Sequence, residues 1–286
     1  MKRALPILTV LLIIVAVWYA AAIKMNAPWA YDQAARADAA VPTLLELPGL
    51  TLNQDRPVLP SPHQVAVELV KSTFGLAPSS KKSLVYHAWV TISGTLLGFA
   101  IGTALGVLLA VGIVYSRAMD MSVMPWAIAS QMVPIIALAP MLAVVMHAIG
   151  ATPLMTKAVI SAYLSFFPVV VGMVKGLRSP DAMQLDLLQT YATPGQAVFW
   201  KLRLPSSMPY FFASVKVAIA ASLVGAIVAE LNQQAGLGAR LLQGSYYGQT
   251  TQIWAALFLS AILAAVLVML AGRIERRVLT RMGMAR

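Results

Sequence analysis

Apolar residues fall into six runs, approximately 4–23, 88–115, 123–148, 153–175, 206–230 and 252–272. Each is about 20 residues or longer, enough to cross a hydrocarbon core of roughly 30 Å as an α-helix. Between the fourth and fifth runs the pattern turns polar, over Asp186-Leu-Leu-Gln-Thr-Tyr-Ala-Thr-Pro-Gly-Gln-Ala-Val-Phe-Trp-Lys-Leu-Arg-Leu-Pro205. A short amphipathic helix with an aromatic pair, Phe199-Trp200, has little purpose between two spans unless it docks onto something outside the bilayer. The predicted fold is all-α: a polytopic membrane protein of about six transmembrane helices, with a docking helix over about 183–203.

The predicted divisions follow the same pattern. Residues 1–24 form an N-terminal anchor, 25–85 an excursion outside the membrane, 86–272 the transmembrane core and 273–286 a basic tail. The first run also fits a signal peptide, since it follows Lys2 and Arg3 and ends in Tyr-Ala-Ala-Ala. Its apolar stretch exceeds the roughly 7–15 residues of a signal core, which favours a retained anchor. In the excursion, Pro62 opens an i, i+3, i+4 apolar pattern (Val65, Val67, Leu69, Val70), which predicts an amphipathic helix on the membrane surface. Residues 25–58 carry too few periodic apolar positions to predict a core of their own.

Composition supports the membrane reading: 59% of residues are hydrophobic and 11% charged, against about 25% charged in soluble domains. The net charge of +11 resides on basic residues at the ends of apolar runs, not on one face, so nucleic acid is not a predicted partner. These charges set orientation instead. With the N-terminus inside, short inside segments hold Lys2, Arg3, Arg117, Lys175, Arg178, Lys201, Arg203, Arg273, Arg276, Arg277, Arg281 and Arg286. Outside lie Arg240 and one long excursion, which carries little weight in the positive-inside rule. Both termini and the 186–205 segment are therefore expected in the cytoplasm. There is no cysteine, which excludes disulfides and thiolate chemistry.

Within the spans, Gly94, Gly98, Gly102 and Gly106 repeat every four residues and predict a close-packing seam. The third run carries Gln131, Pro134, Pro140 and His147, which predict a kinked helix; Gln131 and Pro134 are candidates for a pathway or for a structural kink. His147 lies near the outer interface and reads as a solvated or structural histidine. Two charges occupy the fifth run. Lys216 is expected near mid-membrane, snorkelling or bonded to a helix carbonyl, and Glu230 at the outer end, in an ion pair, at substrate or at the interface. Gln233 in the following glycine-framed loop could contact a ligand. No phosphate loop, His-Glu-x-x-His pair or nucleophile elbow is present, and the three histidines lack metal-ligand spacing, so neither an enzyme nor a metal site is predicted.

The 186–205 segment resembles the cytoplasmic loop of binding-protein-dependent ABC importer permeases, where Glu-Ala-Ala, three residues, Gly and a closing Leu-Pro form the coupling helix. Asp186 stands at the Glu position, Leu187 and Leu188 at the alanines, Ala192 at the Gly, and Leu204-Pro205 at the end. Leu59-Pro-Ser-Pro62, Phe167-Pro168, Gly176-Leu-Arg-Ser179, Pro205-Ser-Ser-Met-Pro209 and Ala229-Glu230 follow in the order of the nitrate, sulfonate and taurine type. Thr190-Tyr191 and Phe199 to Pro205 look closest to members for thiamine-pyrimidine precursors or riboflavin. The resemblance implies a permease of the bacterial inner membrane, working by alternating access with a second permease copy, most simply as a homodimer. Its partners would be an ABC ATPase dimer, which binds ATP and Mg, and a periplasmic substrate-binding protein. Asp186, Leu187, Leu188, Ala192, Phe199, Trp200 and Pro205 would couple to the ATPase. This chain would need no cofactor of its own. The alternatives are an ion-coupled secondary transporter or a membrane scaffold. The former should carry mid-membrane titratable groups and an internal repeat, and the sequence offers chiefly Lys216.

Overall fold

The computed structural model describes residues 4–284, so Lys2, Arg3 and Arg286 of the charge argument lie outside it. Among the described residues every regular element is helical. Five helical stretches are long and apolar enough to cross a membrane: α1 (Ala4–Arg36), α4 (Leu84–Tyr115), α7 (Pro153–Leu177), the continuous stretch Gly195–Glu230, and α12 (Thr250–Arg281). A sixth candidate is the pair α5 (Arg117–Ser130) and α6 (Ile135–Ala148), bent by 101° at their junction. The third run is therefore two helices meeting at a sharp break and not the kinked single helix expected from its prolines. Pro134 stands before the first residue of α6, where its missing N–H costs nothing, and Pro140 is accommodated inside α6.

The chain divides into two compact units, residues 1–88 with 239–260 and residues 89–238 with 261–286. In the first, α1 continues well past the expected end of the anchor at residue 24. Its buried Asn26 ties down the returning chain: Oδ1 accepts from the Val58 N–H at 2.8 Å and Nδ2 donates to the Leu59 carbonyl at 2.9 Å. Ala27 and Ala30 pack against Leu47 of the short α2 (Leu47–Thr51). The excursion thus closes a small core after all, built from one polar hub and three small contacts that leave no apolar period in the sequence. The helix α3 (Pro62–Phe74) forms where expected, with the Ser61 N–H donating to Gln64 at 3.1 Å across its first turn.

In the second unit the glycine seam of α4 lies on α7. A side chain at Gly98 would collide with Ser161 and Ala158, one at Gly102 with Ser165 and Ala162, and one at Gly106 with Phe166 and Val169. The other side of α7 meets α10 (Leu204–Glu230): Gly172 faces Ser214, Gly176 faces Ser207, and Gly225 of α10 faces Ser161. Ala110, Ile113, Val169, Val170, Met173, Val174, Leu177 and Ala218 fill the layer between. On the far side of α10, Val215 and Ile219 meet Ala271 of α12.

Gly102→Val should cost about 1–3 kcal/mol through overpacking against α7, whereas Gly272→Ala, with open space around it, should be neutral. Thermal unfolding of the two variants in detergent checks this contrast.

Candidate functional site

Two features of the second unit frame α10: a buried polar knot at one end and the 182–203 segment at the other. The knot centres on Glu230, which is fully buried. Its Oε1 accepts from Lys157 Nζ at 3.3 Å, and its Oε2 accepts from Thr91 Oγ1 at 2.8 Å and from the Gly238 N–H at 3.1 Å. Lys157, also buried, donates further to the Val90 carbonyl at 2.9 Å, and Thr91 Oγ1 accepts from the Leu237 N–H at 2.9 Å. Both N–H groups belong to the first turn of α11 (Leu237–Tyr246), so the carboxylate and the threonine satisfy a helix N-terminus that has no partners of its own. Gly236, at φ +118°, and Gly238 make room: a side chain at either would overlap Glu230.

The knot is the ion pair among the roles open to Glu230 and excludes its interfacial exposure. The sequence reading does not single out Lys157, although a lysine four residues into an apolar run is the kind of costly charge that calls for a partner. Gln233 donates to the Pro153 carbonyl at 3.3 Å and so sits beside the same end of α7. Lys216 does not bond to a helix carbonyl; its Nζ reaches toward the basic tail and pairs with Glu275 of α12 at 2.7 Å. Gln131 and Pro134 form the α5–α6 break, where Gln131 donates to Ser130 Oγ at 3.3 Å and the Tyr163 hydroxyl donates to the Ser130 carbonyl. Met132, Val133 and Pro134 of the break are exposed, as is His147.

The 182–203 segment departs from a single helix. The helix α8 (Ala182–Thr190) starts at Asp181, whose carboxylate accepts from the Met183 N–H, and ends at a turn over Tyr191–Pro194. The chain then re-enters a helix as α9 (Gly195–Val198), runs through a π-helical turn (Phe199–Arg203) and continues without interruption into α10. The turn is made by Ala192 at φ +48°, a left-handed conformation that suits glycine better. Met183, Leu187 and Tyr191, spaced by four, form one exposed apolar stripe on this segment, and Trp200 is also exposed. Leu188 is half-buried, Asp186 is exposed, and Pro205 lies in the first turn of α10. The aromatic pair divides its work: Phe199 packs on the helical core and, edge-on at 6.0 Å, on Tyr115, while only Trp200 faces out. Arg203 clamps the turn, donating to the Leu177 carbonyl at 2.9 Å and lying over the Tyr115 ring. Nearby, Arg178 pairs with Asp120 of α5 at 2.8 Å.

Two outcomes are expected. Lys157→Met alone leaves a buried carboxylate without its cation and should cost about 3–5 kcal/mol; adding Glu230→Gln should restore part of that, because the amide oxygen still accepts from Thr91 or Gly238. A double variant no more stable than the single in detergent melts would contradict this. Ala192→Gly removes the left-handed strain of about 1 kcal/mol and should raise the melting temperature slightly, read in the same assay.

Comparison with known proteins agrees with this geometry. Residues 102–283 match the family model of the binding-protein-dependent transport system inner membrane component. The chain is 29% identical to the formylaminopyrimidine transport permease protein ThiX of Halalkalibacterium halodurans, over 63% of this chain and 68% of that one. It is 27% identical to the riboflavin transport system permease protein RibX of Chloroflexus aurantiacus, over 77% and 78%. With the putative aliphatic sulfonates transport permease protein SsuC of Bacillus subtilis it shares 23% identity, over 68% and 69%. The matched stretch takes in the second half of α4, the α7–α10 packing, the knot residues Lys157 and Glu230 and the whole 182–203 segment, and the chain therefore belongs to the binding-protein-dependent transport system inner membrane component family, as a multi-pass ABC transporter permease of the inner membrane.

Proposed function

We propose that this permease works in an ATP-driven importer, moving a small organic solute from a periplasmic binding protein into the cytoplasm by alternating access between two copies of the chain. The observation that carries the reading is the apolar stripe of Met183, Leu187, Tyr191 and Trp200, exposed on a segment that is otherwise clamped to the spans. An ATPase groove would cover it, with Leu187 and Trp200 as the main anchors, since a few aromatic and apolar side chains dominate such interfaces. ATP and Mg would be bound by that partner.

Force would travel along a helix. Gly195–Glu230 is one stretch of 36 residues, about 54 Å at 1.5 Å per residue. A push at Trp200 is delivered directly to the α10 end that carries Glu230. The packed seam of α4, α7 and α10 would move as a body, and the exposed α5–α6 break with Gln131 and Pro134 would border the solute pathway. The transported solute is proposed to be a heterocyclic vitamin precursor or a sulfonate, the classes named for the relatives. An ion-coupled carrier would need a titratable group free to exchange its ion, whereas Lys157 and Glu230, and Lys216 and Glu275, are closed on one another.

The test is Leu187→Ala combined with Trp200→Ala, reconstituted with the ATPase and the binding protein. Association of the ATPase should weaken about tenfold or more, and stimulation of ATP hydrolysis by loaded binding protein should be lost while membrane insertion is retained. Normal transport by the double variant would remove the coupling assignment.

A further inference from the structure

The helix α3 presents an apolar arc on its outer side. At 100° per residue, Ala66, Val67, Val70 and Phe74 occupy one arc with Lys71 at its edge. Val67, Val70 and Phe74 are among the most exposed large apolar residues in the first unit, whereas Ser72 on the opposite side is buried. The inward side is mixed: Val65 is buried beside Ser72, whose hydroxyl donates to Glu68 at 2.6 Å. Glu68 in turn faces Arg240, whose guanidinium is drawn below its ordinary range by burial, an effect that Glu68 opposes. Arg240 donates to Gln252 at 3.0 Å. Both faces of the helix therefore carry apolar residues, and the outer arc of Val67, Val70 and Phe74 calls for surroundings less polar than water.

Its level identifies the surroundings. Large apolar residues from Leu5 to Val17 of α1 are exposed, the band that faces lipid, and this band ends at Trp18 and Tyr19. Those two residues hold the start of α3: Trp18 Nε1 donates to the Pro60 carbonyl at 3.0 Å, and the Tyr19 hydroxyl meets His63 Nδ1 at 3.2 Å. Trp18 also stacks on Trp254 and Phe258, in the opening turns of α12. Tryptophan and tyrosine at the end of an apolar band, on two spans together, mark the level where acyl chains meet head groups. From that level the chain enters α3, and Lys71, Lys81 and Lys82 follow, all exposed.

We propose that α3 is a membrane-surface helix, seated in the leaflet with Val67, Val70 and Phe74 in the acyl boundary and Lys71, Lys81 and Lys82 on the phosphates of anionic lipid. The helix anchors the start of α4 to the bilayer plane and fixes the depth at which the first unit rides. It lies outside residues 102–283, so it is an attachment separate from the permease core.

The absence of cysteine makes the test clean. Single variants Val70→Cys, Phe74→Cys and, as an aqueous control, Asp55→Cys in the full chain are labelled with an environment-sensitive fluorophore and reconstituted in vesicles of phosphatidylcholine with or without phosphatidylglycerol. Labels at 70 and 74 should emit at shorter wavelength than the label at 55, be quenched by nitroxide lipids and resist iodide; quenching should deepen with phosphatidylglycerol. Lys71→Gln, Lys81→Gln and Lys82→Gln together should abolish that lipid dependence. Iodide access at 74 equal to that at 55 overturns the proposal, as does protection without nitroxide quenching, which would mean that protein covers the face. A lipid dependence that survives the triple substitution overturns the role given to the lysines.

Discussion

Everything in the larger unit depends on how closely α7 is held by its two neighbours. In lipid, helices gain little by hiding apolar side chains from one another, so cohesion must come from dispersion and polar contacts at short range. The seam answers that requirement with hydrogen atoms and hydroxyls: Gly98, Gly102 and Gly106 on one side, Ser161, Ser165 and Ala162 in the middle, Gly225 and Ser214 on the other. The backbones approach to distances at which a single added carbon would collide. Ser222 reinforces the arrangement by donating to the Thr95 carbonyl at 2.8 Å, a bond from α10 to α4 past the edge of α7.

The ends of this three-helix body are specialised differently. At one end, Glu230 gathers a cation, a hydroxyl and a helix N-terminus, so that α4, α7, α10 and the first turn of α11 share a single carboxylate. Such a site is costly to assemble and costlier to leave half-made, which makes it a rigid terminus. At the other end, Arg203, Phe199 and Tyr115 fix the π-helical turn to the body while Trp200 and the α8 stripe remain uncovered. One continuous helix joins a locked end to an end that presents an exposed apolar stripe. Under the proposed coupling it would act as a lever, whose stiffness follows from helix continuity and not from any special side chain.

Against this body the α5–α6 pair is a contrast. Its 101° bend leaves Met132 and Val133 exposed, although α5 packs Met119, Val123 and Met124 on the core of the body and α6 sets Ala139 beside Ile160 and Ala229. The exposed break between two packed helices would be the place for a change of shape in the proposed transport cycle.

The sequence by itself determined the all-helical membrane architecture, the positions of the apolar runs, the glycine seam and the break in pattern over 186–205. These are readable because hydrophobic period, small-residue spacing and charge at run ends are local properties of consecutive residues. It determined less within the segment. The family resemblance puts Ala192 at a glycine position, and the structure supplies the reason, a left-handed turn that splits the expected helix. Only the tertiary structure decided which charges meet. Lys157 and Glu230 are 73 residues apart and Lys216 and Glu275 are 59 apart, so no window along the chain holds both partners. It also decided that Phe199 turns inward and Trp200 outward, that Pro134 opens a helix where a kink is expected, and that Asn26 closes a small core in the excursion. Each of these depends on what stands across the gap from a residue, and that is a property of packing, not of sequence order.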